Sequence, residues 1–361
     1  MNVGVIRETW ACDRRVALTP PVARRLVEAG HTVWVQAGAG AGAMYSDPEY
    51  IRAGALIGYS QAEVIQRADL LAKISVPTVE ELRLCRPGMV VMAFYHMAVA
   101  GRAVYETLLE RSITAVGCEI IQTADGRLPV LAPISVIAGQ MTVPVASHLL
   151  RSSSGGRGIL LGGSPGVPPA NIAVLGAGNV GVSAARTAAA PGARVTVLDT
   201  DPEKLHRLLE HAPRVATCLS ERESVAAAVA AADVVIGAVL VAGNRTPHVV
   251  TRAMVESMKP GAAIIDVSID QGGSVETSRP TSIAEPTFVY HGVTHFCVPN
   301  LTADLGRGAS IGIAQAMLPY LLAIAARGIE EAMREVPELA RGVYTQGGAC
   351  VSRTLAEAWR A

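Results

Sequence analysis

The feature that most constrains the fold is a glycine-spaced turn between an apolar strand and a helix. Residues 173–181 read AVLGAGNVG, which places Gly176, Gly178 and Gly181 in the pattern G-x-G-x-x-G. An alanine-rich helical segment follows, and the next apolar run, RVTVLD, ends on Asp199. This order of strand, glycines, helix and distal acid is typical of a βαβ unit that binds a dinucleotide.

Each residue of this motif has a physical task. Gly176 permits the tight turn, Gly178 lets backbone N–H groups approach a pyrophosphate, and Gly181 lets the helix pack closely. Asn179 and Val180 open the helix, whose N-terminus offers N–H donors and a positive dipole end to the phosphates. Asp199 would accept hydrogen bonds from ribose hydroxyls and repel a 2′-phosphate, which predicts NAD rather than NADP. The alternative is a glycine-rich turn in an ordinary α/β domain.

The alternation of strands and helices predicts the fold class. Apolar strands alternate with helical patterns through the first 130 residues, and again after the Gly/Ser/Pro-rich segment 151–169. Strands separated by helices of this length imply parallel βαβ units. The tail from residue 302 is mostly helical and has no predicted sheet, so we expect it to pack on the first domain. The prediction is an α/β fold of two Rossmann-like doubly wound parallel-sheet domains, residues 1–130 plus 302–361 and residues 131–301.

Composition excludes several classes of protein. Lys+Arg and Asp+Glu number 31 each, so the formal net charge is zero, and no nucleic-acid or membrane-surface partner is predicted. The six cysteines are scattered without a C-x-x-C pair or a Cys/His cluster, which favours reduced thiols in the cytoplasm and no metal site. The N-terminus lacks the long apolar core of a signal peptide. The apolar stretch 309–326 approaches transmembrane length, but Gln315 and Pro319 interrupt it, so we predict a buried helix.

Three titratable residues lie where a ligand site could form. Arg15 precedes the first helix, where its guanidinium could clamp a small carboxylate or lie solvated on the surface. His96 ends the apolar run AFYH, where it could move protons near neutral pH or bond a backbone carbonyl in the core. Asp270 follows the strand AAIIDVSI, at the sheet edge where open α/β sheets bind ligands.

A family resemblance extends over the whole chain. The segments RRVALTP, AFYH, CEIIQTADGRLPVLAPIS, GGRGILLGGSPGVPP, DVVIGAVLVAG and DVSIDQGG resemble the alanine dehydrogenases and the related NAD-binding part of the pyridine nucleotide transhydrogenases. The length favours the soluble dehydrogenase. The resemblance implies a hexamer, an N-terminal substrate and catalytic domain completed by the C-terminal helices, and an NAD-binding domain between them. It also implies an amino acid or 2-oxo acid and ammonia as small-molecule partners.

The resemblance also assigns roles to single residues. Arg15 matches the carboxylate-binding arginine of the family, His96 its catalytic histidine and Asp270 its catalytic aspartate. Asn300 matches a residue near the substrate. The matched NAD contacts are Ser135, Gly178, Asp199, Val239 and Leu240, and Asp270 is also expected beside the nicotinamide ribose.

The resemblance fails at one substrate residue. The run 73–77 reads KISVP, whereas the family usually has lysine, valine, lysine, glutamate and proline. The second lysine holds the substrate and polarises its carbonyl or imine, and here it is Ser75. Lys73 matches the first lysine and, on a strand, would share a face with Ser75 about 7 Å away. Both are predicted to bind substrate.

Further departures from the family lie near the substrate. Val136 and Pro299 replace a usual glutamate and alanine, and Leu301-Thr302 replaces methionine-proline. Since few changes fall on the expected NAD contacts, the cofactor is expected to be retained while the substrate chemistry is altered.

Three functions follow from these observations. The first is an NAD-dependent amino-acid dehydrogenase that resembles alanine dehydrogenase and converts L-alanine, NAD and water reversibly to pyruvate, ammonia and NADH. The second is a paralogue that acts on a different 2-oxo acid or imine, in which a side-chain cation of the substrate replaces the missing lysine. The third is a non-catalytic NAD(H)-binding protein, which would bind NADH without oxidising any amino acid.

Overall fold

The chain forms two compact units, each built on its own sheet. The computed structural model describes residues 1–10, 12–352 and 355. The first unit contains residues 1–134, 242–244 and 303–361, and the second contains residues 135–241 and 245–302. The assignment of the first to the substrate and of the second to the cofactor stays a prediction.

The first unit begins with six parallel strands and the helices between them. The strands are β1 (Asn2–Val5), β2 (Thr32–Gln36), β3 (Leu56–Gly58), β4 (Leu70–Ala72), β5 (Val90–Ala93) and β6 (Thr114–Gly117). The helices are α1 (Pro20–Glu28), α2 (Asp47–Arg52), α3 (Gln61–Arg67), α4 (Val79–Leu84) and α5 (Arg102–Glu110). Helix α1 begins at a proline, whose missing N–H costs nothing at that position. Helix α4 begins with a capping box between Thr78 and Glu81.

A long helix leads from the first unit into the second. Helix α6 (Ala132–Leu149) is continuous although Pro144 lies inside it. The predicted Gly/Ser/Pro-rich boundary segment follows this helix. The predicted domains themselves meet at residues 130 and 131, and the compact units divide between residues 134 and 135, near the N-terminal end of α6.

The second unit is a seven-stranded sheet. Its strands are β7 (Asn171–Leu175), β8 (Arg194–Asp199), β9 (Ala216–Leu219), β10 (Val234–Gly237), β11 (Ala263–Asp266), β12 (Thr287–Tyr290) and β13 (Val293–Phe296). Its helices are α7 (Asn179–Ala189), α8 (Pro202–His211), α9 (Arg222–Ala231) and α10 (Arg252–Glu256). The order β12-β13-β11-β10-β7-β8-β9 is parallel except for the antiparallel edge strand β12. The chain reverses its direction of growth at β7, so the end of β7 is a topological switch point.

The C-terminal segment completes the first unit. It contains α11 (Gly306–Arg327), α12 (Ile329–Glu335), α13 (Pro337–Arg341), β14 (Val343–Gln346) and β15 (Ala349–Cys350). The first sheet then has the order β15-β14-β6-β5-β4-β1-β2-β3, with β14 antiparallel to β6. The predicted tail was mostly helical without a sheet of its own, and the structure adds a hairpin, β14 and β15, that extends the first sheet. The predicted α/β fold with two mostly parallel sheets is confirmed.

The most apolar helix lies in the first core. The segment Leu301–Arg327 is long and apolar enough to cross a membrane by length and composition alone. In the structure, Ile313, Met317, Leu321 and Ile324 of this helix are fully buried in one cluster with strand residues of the first sheet. This packing accords with the buried helix that its interruptions predicted.

Candidate active site

The glycine loop of the second unit has the shape that a dinucleotide requires. Gly176 adopts φ +106°, in the region that favours glycine, and a Cβ there would lie 2.4 Å from the carbonyl oxygen of Ala238. A Cβ on Gly181 would lie 1.8 Å from the carbonyl oxygen of Gly176. At Gly178 a Cβ would meet no atom within 4 Å. The outer glycines therefore allow close packing, while Gly178 leaves open space at the helix N-terminus.

The acid at the end of β8 organises the same loop. The Asp199 side chain accepts hydrogen bonds from the backbone N–H of Ala177 at 2.6 Å and of Asp201 at 2.9 Å. Its carboxylate lies 4.0 Å from the Lys204 ammonium and is almost buried. Strand β8 thus brings Asp199 to the glycine turn, as the fingerprint predicted.

Two other elements of the second unit approach this loop. In α6, the carbonyl of Val136 accepts a hydrogen bond from Ser183 of α7 at 2.8 Å, and a Cβ on Gly139 would lie 2.3 Å from the carbonyl oxygen of Val180. Ser135, near the start of α6, is buried. Val239 and Leu240 follow β10, beside the strand that precedes the glycine turn. An open helix N-terminus, a glycine turn and a distal carboxylate together fit NAD.

Asp270 lies on a short helical turn after β11. This turn, Val267–Gln271, is held by Asp266, whose carboxylate accepts hydrogen bonds from Ser274 Oγ at 3.0 Å and from the Ser274 N–H at 2.9 Å. Burial raises the pKa of Asp266, although these donors oppose the shift. Asp270 accepts the N–H of Asn300 at 2.7 Å, so the structure brings these two predicted residues together.

Arg15 and Ser75 meet through a third residue in the first unit. The Arg15 guanidinium donates two hydrogen bonds to the Asp13 carboxylate, from Nε at 2.9 Å and from Nη2 at 2.7 Å. The Ser75 hydroxyl donates to the same carboxylate at 2.7 Å. The Arg15 and Asp13 side chains are 1% and 3% exposed, so Arg15 is not the solvated surface arginine of the alternative interpretation.

Lys73 is buried next to this network. Its ammonium lies 2.7 Å from Glu8 and 3.6 Å from Glu81, and its side chain is fully buried. Glu8 also accepts the backbone N–H groups of Ile74 and Ser75, at 2.7 and 3.1 Å. Strand β4 ends at Ala72, yet the Lys73 N–H still donates to the Met92 carbonyl and the Phe94 N–H to the Ile74 carbonyl, both at 2.9 Å, so the Glu8 carboxylate adds to this pairing.

The ionised groups of this cluster shift one another's pKa. Burial opposes ionisation of Asp13, but Arg15 and the Ser75 hydroxyl outweigh it, so the pKa of Asp13 lies below its ordinary value. Burial lowers the pKa of Lys73, whereas Glu8 and Glu81 raise it, and the net shift is upward. Burial raises the pKa of Glu81, and the Lys73 ammonium only partly offsets it.

His96 lies in the loop after β5, in the first unit. It is half-buried, and its Nδ1 is buried without a hydrogen-bond partner among the residues that the structure describes. It is therefore not the carbonyl-bonded core histidine of the alternative interpretation. Its backbone is in the left-handed region, with φ +47°.

Sequence reasoning missed four acids that shape these sites, namely Glu8, Asp13, Glu119 and Asp266. Asp13 lies two residues before Arg15, and Glu8 follows β1 closely, so position near a strand end was the available signal. Nothing in the local sequence showed that Glu8 would be buried with Lys73, or that Asp13, Glu119 and Asp266 would be buried with hydrogen-bond donors. Among residues 1–10, 12–352 and 355, no group of three or more His, Cys, Asp or Glu is arranged to hold a metal ion.

The comparisons with known proteins agree with this geometry. Residues 4–138 match the alanine dehydrogenase/PNT N-terminal domain, and residues 142–353 match the C-terminal domain of that family. The chain is 42% identical to an alanine dehydrogenase of Mycobacterium tuberculosis (strain ATCC 25618 / H37Rv) over 99% of this chain and 96% of that protein. It is 41% identical to an alanine dehydrogenase of Halomonas elongata over 99% of this chain and 97% of that protein.

Solved structures give the same result. An L-alanine dehydrogenase superposes with a TM-score of 0.92 at 36% identity, covering 100% of this chain and 99% of that one. A transhydrogenase from Sinorhizobium meliloti superposes with a TM-score of 0.80 at 26% identity, covering 98% and 99%. These findings confirm the predicted NAD cofactor and the predicted class, an NAD-dependent amino-acid dehydrogenase of the alanine dehydrogenase type acting on CH–NH2 groups. The chain belongs to the alanine dehydrogenase/PNT family.

Proposed function

We propose that the chain interconverts an L-amino acid and its 2-oxo acid, with L-alanine and pyruvate as the reference pair of its relatives. In the oxidative direction, the amino acid, NAD and water give the 2-oxo acid, ammonia, NADH and a proton. The observation that supports a carboxylate-bearing substrate is the buried Arg15 guanidinium, since a planar bidentate cation inside a domain suits a small carboxylate.

The predicted residues divide the work of this reaction. The glycine turn 176–181 and Asp199 would hold NAD, which would supply the hydride acceptor. Arg15 would hold the substrate carboxylate, and His96 would accept a proton from the substrate ammonium and release it to solvent. After water adds to the iminium, His96 would take the carbinolamine hydroxyl proton and deliver it to the leaving ammonia. Asp270, fixed by the Asn300 N–H, would orient the substrate nitrogen or water and the nicotinamide ribose. Lys73 remains a predicted substrate residue, although its buried ion pair with Glu8 favours a charge-balancing role.

The cluster around Ser75 favours a second candidate, a substrate with its own cation. The buried cluster contains the acids Glu8, Asp13 and Glu81 but only two cationic groups, those of Arg15 and Lys73. A lysine at position 75 would supply the third cation. When the Arg15 guanidinium turns to a substrate carboxylate, Asp13 keeps only neutral donors, the Ser75 hydroxyl and the Arg15 backbone N–H, and a buried carboxylate without a cation costs several kcal/mol. A cationic side chain on the substrate would remove that cost.

A panel of 2-oxo acids separates these candidates. NADH oxidation would be followed with ammonia and pyruvate, with the 2-oxo acid of norleucine, and with the 2-oxo acid of arginine, whose long side chain ends in a cation. Turnover with pyruvate supports the alanine dehydrogenase reaction. Turnover with the cationic acid but not with its neutral counterpart supports the second candidate. If no 2-oxo acid is reduced while NADH still binds, the interpretations that remain are a preformed imine as substrate and a non-catalytic NAD(H)-binding protein.

We further propose a cytoplasmic homohexamer, as the family resemblance implies. All six cysteines are free thiols, which suits a reducing compartment. Light scattering of the purified chain measures the assembly, and a mass other than six subunits contradicts the hexamer. Localisation of the tagged protein tests the compartment.

A further inference from the structure

His96 has an unusual backbone for a non-glycine residue. Its φ of +47° lies in the left-handed region, which is strained for a residue with a Cβ and persists only when neighbouring groups enforce it. The carbonyl of His96 accepts the N–H groups of Val99 and Ala100 at 2.9 and 3.0 Å. The backbone at His96 is therefore fixed from its carbonyl side by the turn that follows.

The N–H side of the same turn is fixed by one buried acid. Glu119 follows β6, the strand beside β5, and it is 1% exposed. Its Oε1 accepts the N–H of His96 at 2.7 Å, and its Oε2 accepts the N–H of Tyr95 at 3.2 Å. The two carboxyl oxygens thus bind consecutive N–H groups at the point where the chain turns left-handed.

A tyrosine from the C-terminal hairpin completes this arrangement. Tyr344 of β14 is buried and donates its hydroxyl to Glu119 Oε1 at 2.8 Å. Its ring packs edge to face against that of Tyr95, with centroids 6.0 Å apart. A Cβ on Gly117 would lie 2.3 Å from Tyr344 Cε2, so the glycine leaves the space that the ring fills. Burial and the Glu119 charge raise the pKa of Tyr344, which keeps the hydroxyl protonated as a donor.

We propose that Glu119 and Tyr344 are positioning residues for His96, acting through its backbone rather than through its imidazole. Catalytic histidines are commonly oriented by a carboxylate or carbonyl on the second ring nitrogen. Here the buried Nδ1 has no such partner among the described residues, whereas the backbone that directs the Cα–Cβ bond is bonded on both sides. The C-terminal hairpin therefore takes part in aiming a residue of the N-terminal segment. The catalytic role of His96 rests on the proposed function, whereas the positioning of His96 rests on the hydrogen bonds described above.

Matched tyrosine variants give the first test. Tyr344→Phe removes the hydroxyl bound to Glu119, whereas Tyr95→Phe removes a buried hydroxyl that donates to the Val91 carbonyl at 3.1 Å. We expect kcat to fall about threefold to tenfold in Tyr344→Phe, less than about twofold in Tyr95→Phe, and the NADH Kd to stay unchanged in both, because one hydrogen bond to a charged group is involved. Equal losses in the two variants would overturn the proposal.

A double-mutant cycle separates positioning from stability. Glu119→Gln is expected to lower kcat about tenfold or more in the native background, but less than about twofold in the His96→Ala background, because the acid acts only through His96. The same loss in both backgrounds would show a general structural role and contradict positioning.

A measurement without turnover keeps the proposal testable if the substrate is not found. Diethylpyrocarbonate modification of His96 would be mapped by mass spectrometry, with the exposed His248 as internal reference. We expect His96 to react faster in Tyr344→Phe and in Glu119→Gln, because the backbone of His96 no longer fixes the direction of its ring. In Tyr95→Phe we expect no change in the rate. An unchanged rate at His96 in both variants refutes positioning whatever the activity, whereas a wild-type protein inactive on every 2-oxo acid refutes only the proposed function.

Discussion

At the scale of single residues, burial decides how much an ion pair contributes to the stability of the fold. The chain contains two Asp–Arg pairs with the same spacing and the same 2.7 Å separation, Asp13–Arg15 and Asp125–Arg127. The first pair is almost fully buried and the second is largely exposed. Breaking a buried pair leaves a charge without its partner in a medium of low polarity, whereas water screens the exposed pair. The two pairs therefore form a natural comparison.

We predict that Asp13→Asn lowers the free energy of unfolding by about 3 kcal/mol at neutral pH, whereas Asp125→Asn changes it little. Asp13 has a folded pKa below its ordinary value of 3.8, so its stabilisation is fully present above that value and is lost as the pH falls through the folded pKa. Urea unfolding of wild type and both variants between pH 3 and 7 measures these free energies and their pH dependence. A difference between Asp13→Asn and wild type that grows towards acid pH would contradict the argument.

Ser75 stands where, by the family resemblance, a substrate-binding lysine is expected. Ser75→Lys would place an ammonium beside Asp13 and supply the cation that the cluster lacks. We expect pyruvate-dependent NADH oxidation to rise at least about tenfold, since one preorganised donor can contribute about 3 kcal/mol to a transition state. Ser75→Met is the control, because it adds a similar stem without charge. If both variants rise equally, or neither rises, Ser75 is not the main determinant of activity with pyruvate.

At the scale of elements, the predicted site residues lie in the turns after the strands rather than in the strands themselves. Helices and strands were predicted from apolar periodicity, and their existence agrees with the structure for the βαβ segments of both sheets. The sequence extended several strands too far: β4 ends at Ala72 and β11 at Asp266, before the predicted site residues begin. These residues lie in turns whose N–H groups bond buried carboxylates, and no local apolar pattern indicates such turns.

The glycine turn provides an element-scale prediction. Gly178→Ala would meet no protein atom, so we expect an unchanged Tm but NADH affinity weakened about tenfold or more, because the added methyl occupies space that the pyrophosphate needs. Gly181→Ala would push a methyl into the Gly176 carbonyl, so we expect a lower Tm as well. Differential scanning calorimetry and NADH fluorescence distinguish the two. A large loss of Tm in Gly178→Ala would show that this position is structural.

At the scale of the whole molecule, the two units differ in how they are assembled from the chain. The second unit is nearly continuous in sequence and has cores on both faces of its sheet. The first unit needs distant segments, since α11 fills its core and β14 pairs with β6. A fragment of the N-terminal segment alone would therefore expose a large apolar surface.

We predict that a fragment of residues 131–302 folds cooperatively and binds NADH, whereas a fragment of residues 1–134 does not fold alone. The fragment 131–302 retains every strand of the second sheet, whereas the fragment 1–134 lacks Ile313, Met317 and Leu321, which fill the core of the first unit. Circular dichroism melting and NADH fluorescence of both fragments measure this. A cooperative transition in the 1–134 fragment would show that α11 is dispensable.

The sequence by itself determined the fold class, the family, the cofactor motif and the identity of the departing residue Ser75. These follow from local patterns, because a βαβ unit, a glycine turn and a distal acid lie close together in the chain. Tertiary structure alone decided which polar group each buried carboxylate binds. Glu8 with Lys73, Asp13 with Ser75 and Glu119 with Tyr344 join positions separated by 65, 62 and 225 residues. Burial makes these pairings strong, and burial is a property of the packed sheets rather than of any single segment.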